Sequence, residues 1–319
     1  MYLWIVVVGG IFSFFTSAGI GANDAANAFA TSVGSKALSI KQATFLAAIF
    51  ETSGALLMGS HVTNTIRKGI ADYECFDGSE YLLMYGCMWV IFSVGIWLFF
   101  ASYLEMPVST THSCVGGMIG MAWLLKGVDC VIWVKYVDTF PYLSGVSGIV
   151  LSWVLSPLFS CLLSSSLFYI LRKYVLRQNF HSSRINFAYP ILIGMTIMIN
   201  VFFITYKGAK GIGLDKTPLY IAFIIAFLSG TLCACIVSPY VPKLKAKVFS
   251  THSNNSINVV ENDIQIDFIK SQNELDKVNQ IHNDAEKFDP KIEEVFKYLQ
   301  VFSAVCDSFS HGANDVANA

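Results

Sequence analysis

Long apolar runs, each cut or closed by a few polar residues, organise this chain. The first extends from about Tyr2 to Val33 and contains Gly21-Ala22-Asn23-Asp24-Ala25-Ala26-Asn27-Ala28 in its later half. That is long for one straight membrane-crossing helix. The pattern predicts two helical pieces joined through Gly19–Asp24, where two glycines and Asn-Asp relax the backbone. A short polar turn with Lys36 and Lys41 precedes a span over about Ala43–Gly59, apolar except for Glu51 and its small polar neighbours. A polar loop, His61–Glu80, leads to a span over Tyr81–Leu104. Glu105-Met106-Pro107-Val108-Ser109-Thr110-Thr111-His112 then breaks the pattern. Pro107 disfavours helix at the residue before it, and Ser109, Thr110 and Thr111 are capping candidates for a new helix. The pattern fits either a crossing or a re-entrant piece for Val108–Leu125. Further spans are expected over Tyr142–Leu171, kinked at Pro157, over Ala188–Tyr206 and over Thr217–Pro242.

From Lys243 to Glu294 the chain turns rich in Asn, Asp, Glu and Lys, and reads as a solvated loop, partly disordered or with short helices. Apolar residues return at Val295. The expected organisation is therefore residues 1–242 as a transmembrane repeat with connecting spans, 243–294 as a hydrophilic loop and 295–319 as the start of a second repeat. The fold class is an all-α polytopic membrane protein.

Composition supports this class: hydrophobic residues make up 54% of the chain and charged residues only 13%, where a soluble domain carries about 25% charged residues. Mean hydropathy is +0.55. The charge deficit is local, because Tyr142–Leu171, Ala188–Tyr206 and Thr217–Pro242 hold no Asp, Glu, Lys or Arg. The net charge of −1 includes no basic stripe, so nucleic acid is not an expected partner; the lipid bilayer is. The N-terminus has no positive region and runs straight into the polar motif, unlike a cleaved signal. Most cysteines fall in apolar segments. Only Cys75 and Cys130 lie in polar connections, which leaves theirs as the one bridge to consider. Basic residues at Arg172–Arg184 and Lys243–Lys247 place those loops in the cytoplasm and the N-terminus outside.

An ionisable Asp24 between Asn23 and Asn27, inside an apolar segment, marks a functional site. A second copy, Gly312-Ala313-Asn314-Asp315-Val316-Ala317-Asn318-Ala319, repeats seven of the eight residues. Duplicated polar interruptions in two halves point to the central site of a secondary transporter, and their opposite entry directions fit an inverted repeat with broken helices. Half-helix N-termini at Asn23–Asp24 and Ser109–Thr111 would present N–H groups to an anion. No Lys or Arg lies within the spans, so the charge of Asp24 and Asp315 beside an anion must be offset by cations from solution. Carboxylate, amide carbonyl and hydroxyl oxygens suit Na⁺, with protons the rival. Glu51 is a coupling residue or a packing residue on this reading. His112 and His311 adjoin the motifs without zinc spacing and are read as packing or hydrogen-bonding residues. Asp307 is placed on the cavity face of the last helix.

The two Gly-Ala-Asn-Asp signatures, the Pro107–His112 run and Ser152-Trp153-Val154-Leu155-Ser156-Pro157 together resemble the inorganic phosphate transporter (PiT) family. The resemblance implies sodium-coupled symport of inorganic phosphate rather than an enzyme activity, and favours Glu51 as a coupling residue. Substrate binding is expected at Asn23, Asp24, Ser109, Thr110, Thr111, Asn314 and Asp315. Sodium coupling is expected at Asp24, Asn27, Glu51, Asp315 and Asn318, with no resident cofactor or metal. Proton-coupled transport of phosphate or another oxyanion such as sulfate is the alternative, ahead of an anion channel or an intramembrane enzyme. No zinc-protease or Gly-x-Ser-x-Gly motif supports the enzyme. The family's second Ser-Thr-Thr break and last spans are absent. The second repeat is therefore expected to be truncated, and these 319 residues are expected not to transport alone. A plasma-membrane location is expected, and a homo-oligomer is left open.

Overall fold

A computed structural model describes residues 2–35, 37–137, 142–178, 183–208, 217–255 and 286–318. Nine α-helices order those residues: α1 Leu3–Gly34, α2 Ile40–Gly69, α3 Glu80–Tyr103, α4 Thr110–Lys126, α5 Gly145–Leu171, α6 Arg184–Lys207, α7 Leu219–Val237, α8 Val241–Asn255 and α9 Pro290–Asp315. A hairpin of two-residue strands, Lys135–Tyr136 and Leu143–Ser144, precedes α5. Among the described residues, six helical segments are long and apolar enough to cross a membrane. The protein is an integral, multi-pass, all-α membrane protein.

Local chemistry starts the helices at definite residues. Ser39 and Gln42 form a reciprocal capping box at α2. Asp289 accepts a bond from the Lys291 N–H (2.9 Å), and Pro290 opens α9, where a missing N–H costs nothing. Ser109 caps α4, accepting from the His112 N–H at 3.3 Å.

Two expectations are corrected. α1 is one continuous helix, not two pieces joined through Gly19–Asp24. Backbone bonds are not readily given up where no water replaces them, and the polar side chains find partners on other helices instead. Gly19 serves packing: a Cβ there would lie 3.2 Å from Leu98 Cβ, so its absence lets α3 approach. The second correction concerns the polar loop expected from His61: the membrane-length stretch Ile40–Ser60 matches the expected span, but α2 continues to Gly69, with Val62 and Ile70 packed into the main core. Past Pro242, α8 likewise carries helix to Asn255, and its Val248 is buried against the cluster of Ile185, Tyr189, Ile292 and Val295. Of the expected hydrophilic loop, 256–285 lies outside the described residues.

Helix directions follow from the contacts. Tyr2 stacks on Tyr81, and Asn23 bonds Ser102, so α1 and α3 run parallel. Cβ atoms at Gly86 and Gly117 would meet Met121 and Val90, so α4 runs back along α3. The far end of α4 rejoins the α2–α3 connection, because Ala71 and Val131 form an antiparallel bridge and the Asp72 N–H donates to the Cys130 carbonyl at 2.9 Å. The 108–125 segment thus returns to the face that α3 left. At 17 residues, α4 is about 25 Å long, somewhat short of a ~30 Å hydrocarbon core. One face of the molecule therefore carries Tyr2, residues 70–79, residues 127–137 and residues 142–146. The opposite face carries the α1–α2 turn, the basic end of α5, α8 and the start of α9. There Arg177 and Arg172 both pair with Glu286 and hold its carboxyl below the usual range.

Small residues set the closest approaches, as in other membrane bundles. A Cβ at Gly230 would lie 2.6 Å from the Gly194 carbonyl oxygen, which fixes α6 against α7. Gly54 and Gly312 do the same for α2 and α9.

Candidate functional site

One face of α1 carries Asn23, Asp24 and Asn27 at helical spacing, and all three sit beside the α3–α4 break. Asn23 is spent on that break. Its Nδ2 donates to Ser102 Oγ (3.2 Å) and to the Met106 carbonyl (3.0 Å), while its Oδ1 accepts from the Val108 N–H (3.1 Å). Both amide protons and one lone pair of Oδ1 are engaged, so Asn23 holds the non-helical 104–109 segment in place. It is not among the residues lining the cleft.

Asp24 is buried and accepts the Thr110 hydroxyl at 3.0 Å. α9 crosses α1 antiparallel, pairing Ser35 with Gln300 and Asp24 with His311. The second signature thereby meets the first head-on, as an inverted repeat requires. His311 is the meeting point. Its Nε2 lies 2.7 Å from Asp315 Oδ2 and 3.5 Å from Asp24 Oδ2, and its Nδ1 lies 3.4 Å from Glu51 Oε1. The last contact is not aligned as a hydrogen bond, and both of its atoms are buried without one. Three carboxylates thus surround one imidazole.

The amides of the second signature turn towards α4. Asn314 Nδ2 and Asn318 Nδ2 donate to Thr111 Oγ1 (3.2 and 3.0 Å) and to Asp315 Oδ1 (2.9 and 3.1 Å). Asp315, as a carboxylate acceptor, fixes which way both amides point. The Asn318 Oδ1 is then a buried acceptor with no partner. Thr111 accepts two bonds, so its own proton is left to donate. Thr110 gives its proton to Asp24, and Ser109 is occupied by the His112 N–H and ring. His112 also stacks on Trp153 at 3.8 Å between centroids, which ties the start of α4 to α5.

These groups line a cleft of about 370 Å³ bounded by Asp24, Asn27, residues 107–111, His311, Asn314 and Asp315. The start of α4 points backbone N–H groups and a positive dipole end at it. Asn27 also lines a second polar cavity of about 460 Å³ with Asn200, Gln300 and Asp307, so Asp307 does face a cavity. Glu51 reaches the site only through His311, from an adjoining cavity.

The residues fit a hard cation. Carboxylate oxygens from Asp24 and Asp315 and a ring nitrogen of His311 lie within 4.8 Å of one another, and the unpartnered Asn318 Oδ1 adds an acceptor nearby. Reading the sequence missed His311 as the centre of the site. Its signal was the i, i+4 spacing to Asp315 on one helix face; the contacts to Asp24 and Glu51 required the fold.

The phosphate transporter family matches residues 20–319. The chain belongs to this family. It is 39% identical over 247 residues to sodium-dependent phosphate transporter 1 of Rattus norvegicus, covering 77% of this chain and 35% of that protein. The Homo sapiens protein of the same name is 38% identical over 248 residues, with the same coverage. A solved structure titled "The sodium-dependent phosphate transporter" superposes with a TM-score of 0.75 at 31% identity, over 98% of this chain and 65% of that one. The chain thus spans about a third of the length of these curated relatives. The family is one of transporters, and the matched residues include both signatures, the segments that meet at His311.

Proposed function

We propose that the cleft binds inorganic phosphate together with Na⁺, and that this chain forms part of a sodium-coupled phosphate symporter. The observation that carries the reading is the convergence of the two signatures. Three carboxylates face one imidazole on one side of the cleft, and α4 presents its N-terminus and the Thr111 proton on the other. An anion is favoured at the helix end, while the surplus negative charge around His311 favours cations. Each ligand lowers the electrostatic cost of the other, which is the condition for coupled binding. In this arrangement Asp24, Asp315 and Asn318 hold the cation, with Asn27 beside them, and Glu51 sets the charge on His311 from behind. Thr111 and the first N–H groups of α4 face the phosphate, Asn314 orients the Thr111 hydroxyl, and Ser109 shapes that helix end. On this reading the α5–α6 connection and 243–294 are cytoplasmic, the N-terminus is outside and the membrane is the plasma membrane; the basic residues at Arg172–Arg184 and Lys243–Lys247 support the orientation.

The test is uptake of labelled phosphate into proteoliposomes holding a transporter that includes these residues. Accumulation driven by an inward sodium gradient is expected; none above empty liposomes would overturn the reading. The imidazole linking three carboxylates favours a second reading, proton coupling. Accumulation driven by a pH gradient in sodium-free buffer would establish it instead.

Thr111→Val keeps the shape of the side chain but removes the proton and the acceptor used by Asn314 and Asn318. Phosphate half-saturation is expected to rise by about 1–3 kcal/mol, or roughly 5- to 150-fold. Ser109→Ala should cost less, since its hydroxyl is engaged in capping. Equal, negligible effects for both would remove Thr111 from the anion site.

A further inference from the structure

Two cysteines distant in sequence meet on the face that carries the N-terminus. Cys75 lies in the short 3-10 turn Tyr73–Phe76, between α2 and α3, and Cys130 in the turn Val128–Cys130, between α4 and α5. Their backbones are already stitched together. Ala71 pairs with Val131, the Asp72 N–H donates to the Cys130 carbonyl at 2.9 Å, and the Ile132 N–H donates to the Ile70 carbonyl at 2.9 Å. The Asp72 carbonyl accepts both the Cys75 N–H and the Cys130 thiol, each at 3.3 Å. Both side chains pack on the same core, with Cys130 buried and Cys75 half-buried. The other six cysteines belong to helices.

We propose that Cys75 and Cys130 form a disulfide that ties the α2–α3 connection to the α4–α5 connection. The proposal rests on the orientation given above, which puts this face outside the cell, where disulfides persist. The oxidant belongs to the disulfide class, glutathione disulfide being the simplest. The Cys75 thiolate attacks one oxidant sulfur and releases a thiol, leaving a mixed disulfide. Cys130 then displaces the second thiol from Cys75, and its proton leaves on that thiol. Two protein thiols lose two electrons and two protons, and one oxidant disulfide becomes two thiols. Burial and the neighbouring Cys75 push the Cys130 thiol up to about 12, so Cys75 is the first nucleophile and Cys130 the resolving one. The bond would anchor the far end of α4, whose near end carries Thr111.

The test combines peptide mapping with thermal unfolding of protein prepared without reductant and alkylated before digestion. A joined Cys75–Cys130 peptide is expected. Cys75→Ser, Cys130→Ser and the double variant should each lower the unfolding midpoint by the same amount, about 5–10 °C. Reductant should bring the wild type to that value and leave the variants unchanged. In intact cells an impermeant amine reagent should label Lys135 and spare Lys41, both of which are exposed. Lys135 labelled with both thiols alkylated would overturn the disulfide alone. Lys41 labelled and Lys135 spared, with both thiols alkylated, would overturn the orientation and the disulfide with it.

Discussion

Asp24→Asn is expected to abolish sodium-dependent phosphate uptake while leaving the protein inserted and folded. The substitution is nearly isosteric, and an amide oxygen can still accept the Thr110 hydroxyl that Asp24 takes at 3.0 Å. The join between α1 and α4 should therefore survive. The charge should not. A cation about 4 Å away loses on the order of 4 kcal/mol at an effective dielectric of about 20, or roughly 1000-fold in affinity. Uptake by a transporter that includes these residues, measured against sodium concentration together with surface expression, reads both parts. Sodium dependence equal to the wild type would remove Asp24 from the coupling site.

Gly312→Val is expected to prevent assembly of the site altogether. A Cβ at Gly312 would overlap the backbone of Glu51, and one at Gly54 would overlap the Phe309 carbonyl. Backbone atoms cannot turn aside as a side chain can, so α2 and α9 would have to part. Overpacking of a tight contact costs about 1–3 kcal/mol or more, and here it separates Glu51 from His311 and Asp315. Loss of a monodisperse peak on size exclusion, or a steep fall in the unfolding midpoint, is the expected result. Gly116→Ala, at a position with open space around it, should behave as wild type. A stable, monodisperse Gly312→Val protein would mean that the α2–α9 contact is looser than its geometry implies.

Much of this arrangement was legible in the order of residues, because a membrane forces backbone bonds into helices and makes polar residues conspicuous. The spans Tyr81–Leu104 and Tyr142–Leu171 correspond closely to α3 Glu80–Tyr103 and α5 Gly145–Leu171. Pro107 and Ser109 announced a break that is present. The same local signals misled at Gly19–Asp24, where glycines and Asn-Asp lie inside an unbroken helix because their needs are met across helices: Gly19 by close approach to Leu98, Asn23 by Ser102, Met106 and Val108. Asn23 was expected at the substrate, and the fold gives its amide partners at the α3–α4 break. A polar residue at membrane depth announces a partner but does not say which. His311 shows the converse, since only the crossing of α1, α2 and α9 places three carboxylates around a ring that looked like a packing residue. The α2 end was missed because its last turns depend on Val62 and Ile70 meeting the core, a tertiary contact with no local signature.

The central claim is that phosphate and sodium share the cleft between the α4 N-terminus and the His311 carboxylates. Equilibrium binding of labelled phosphate to the purified protein, in sodium and in potassium at equal ionic strength, tests it most directly. Saturable binding in sodium, at least tenfold weaker in potassium and weakened by Asp24→Asn, is the result the account predicts; a tenfold change corresponds to about 1.4 kcal/mol of coupling. Phosphate binding of equal strength in both salts would contradict it.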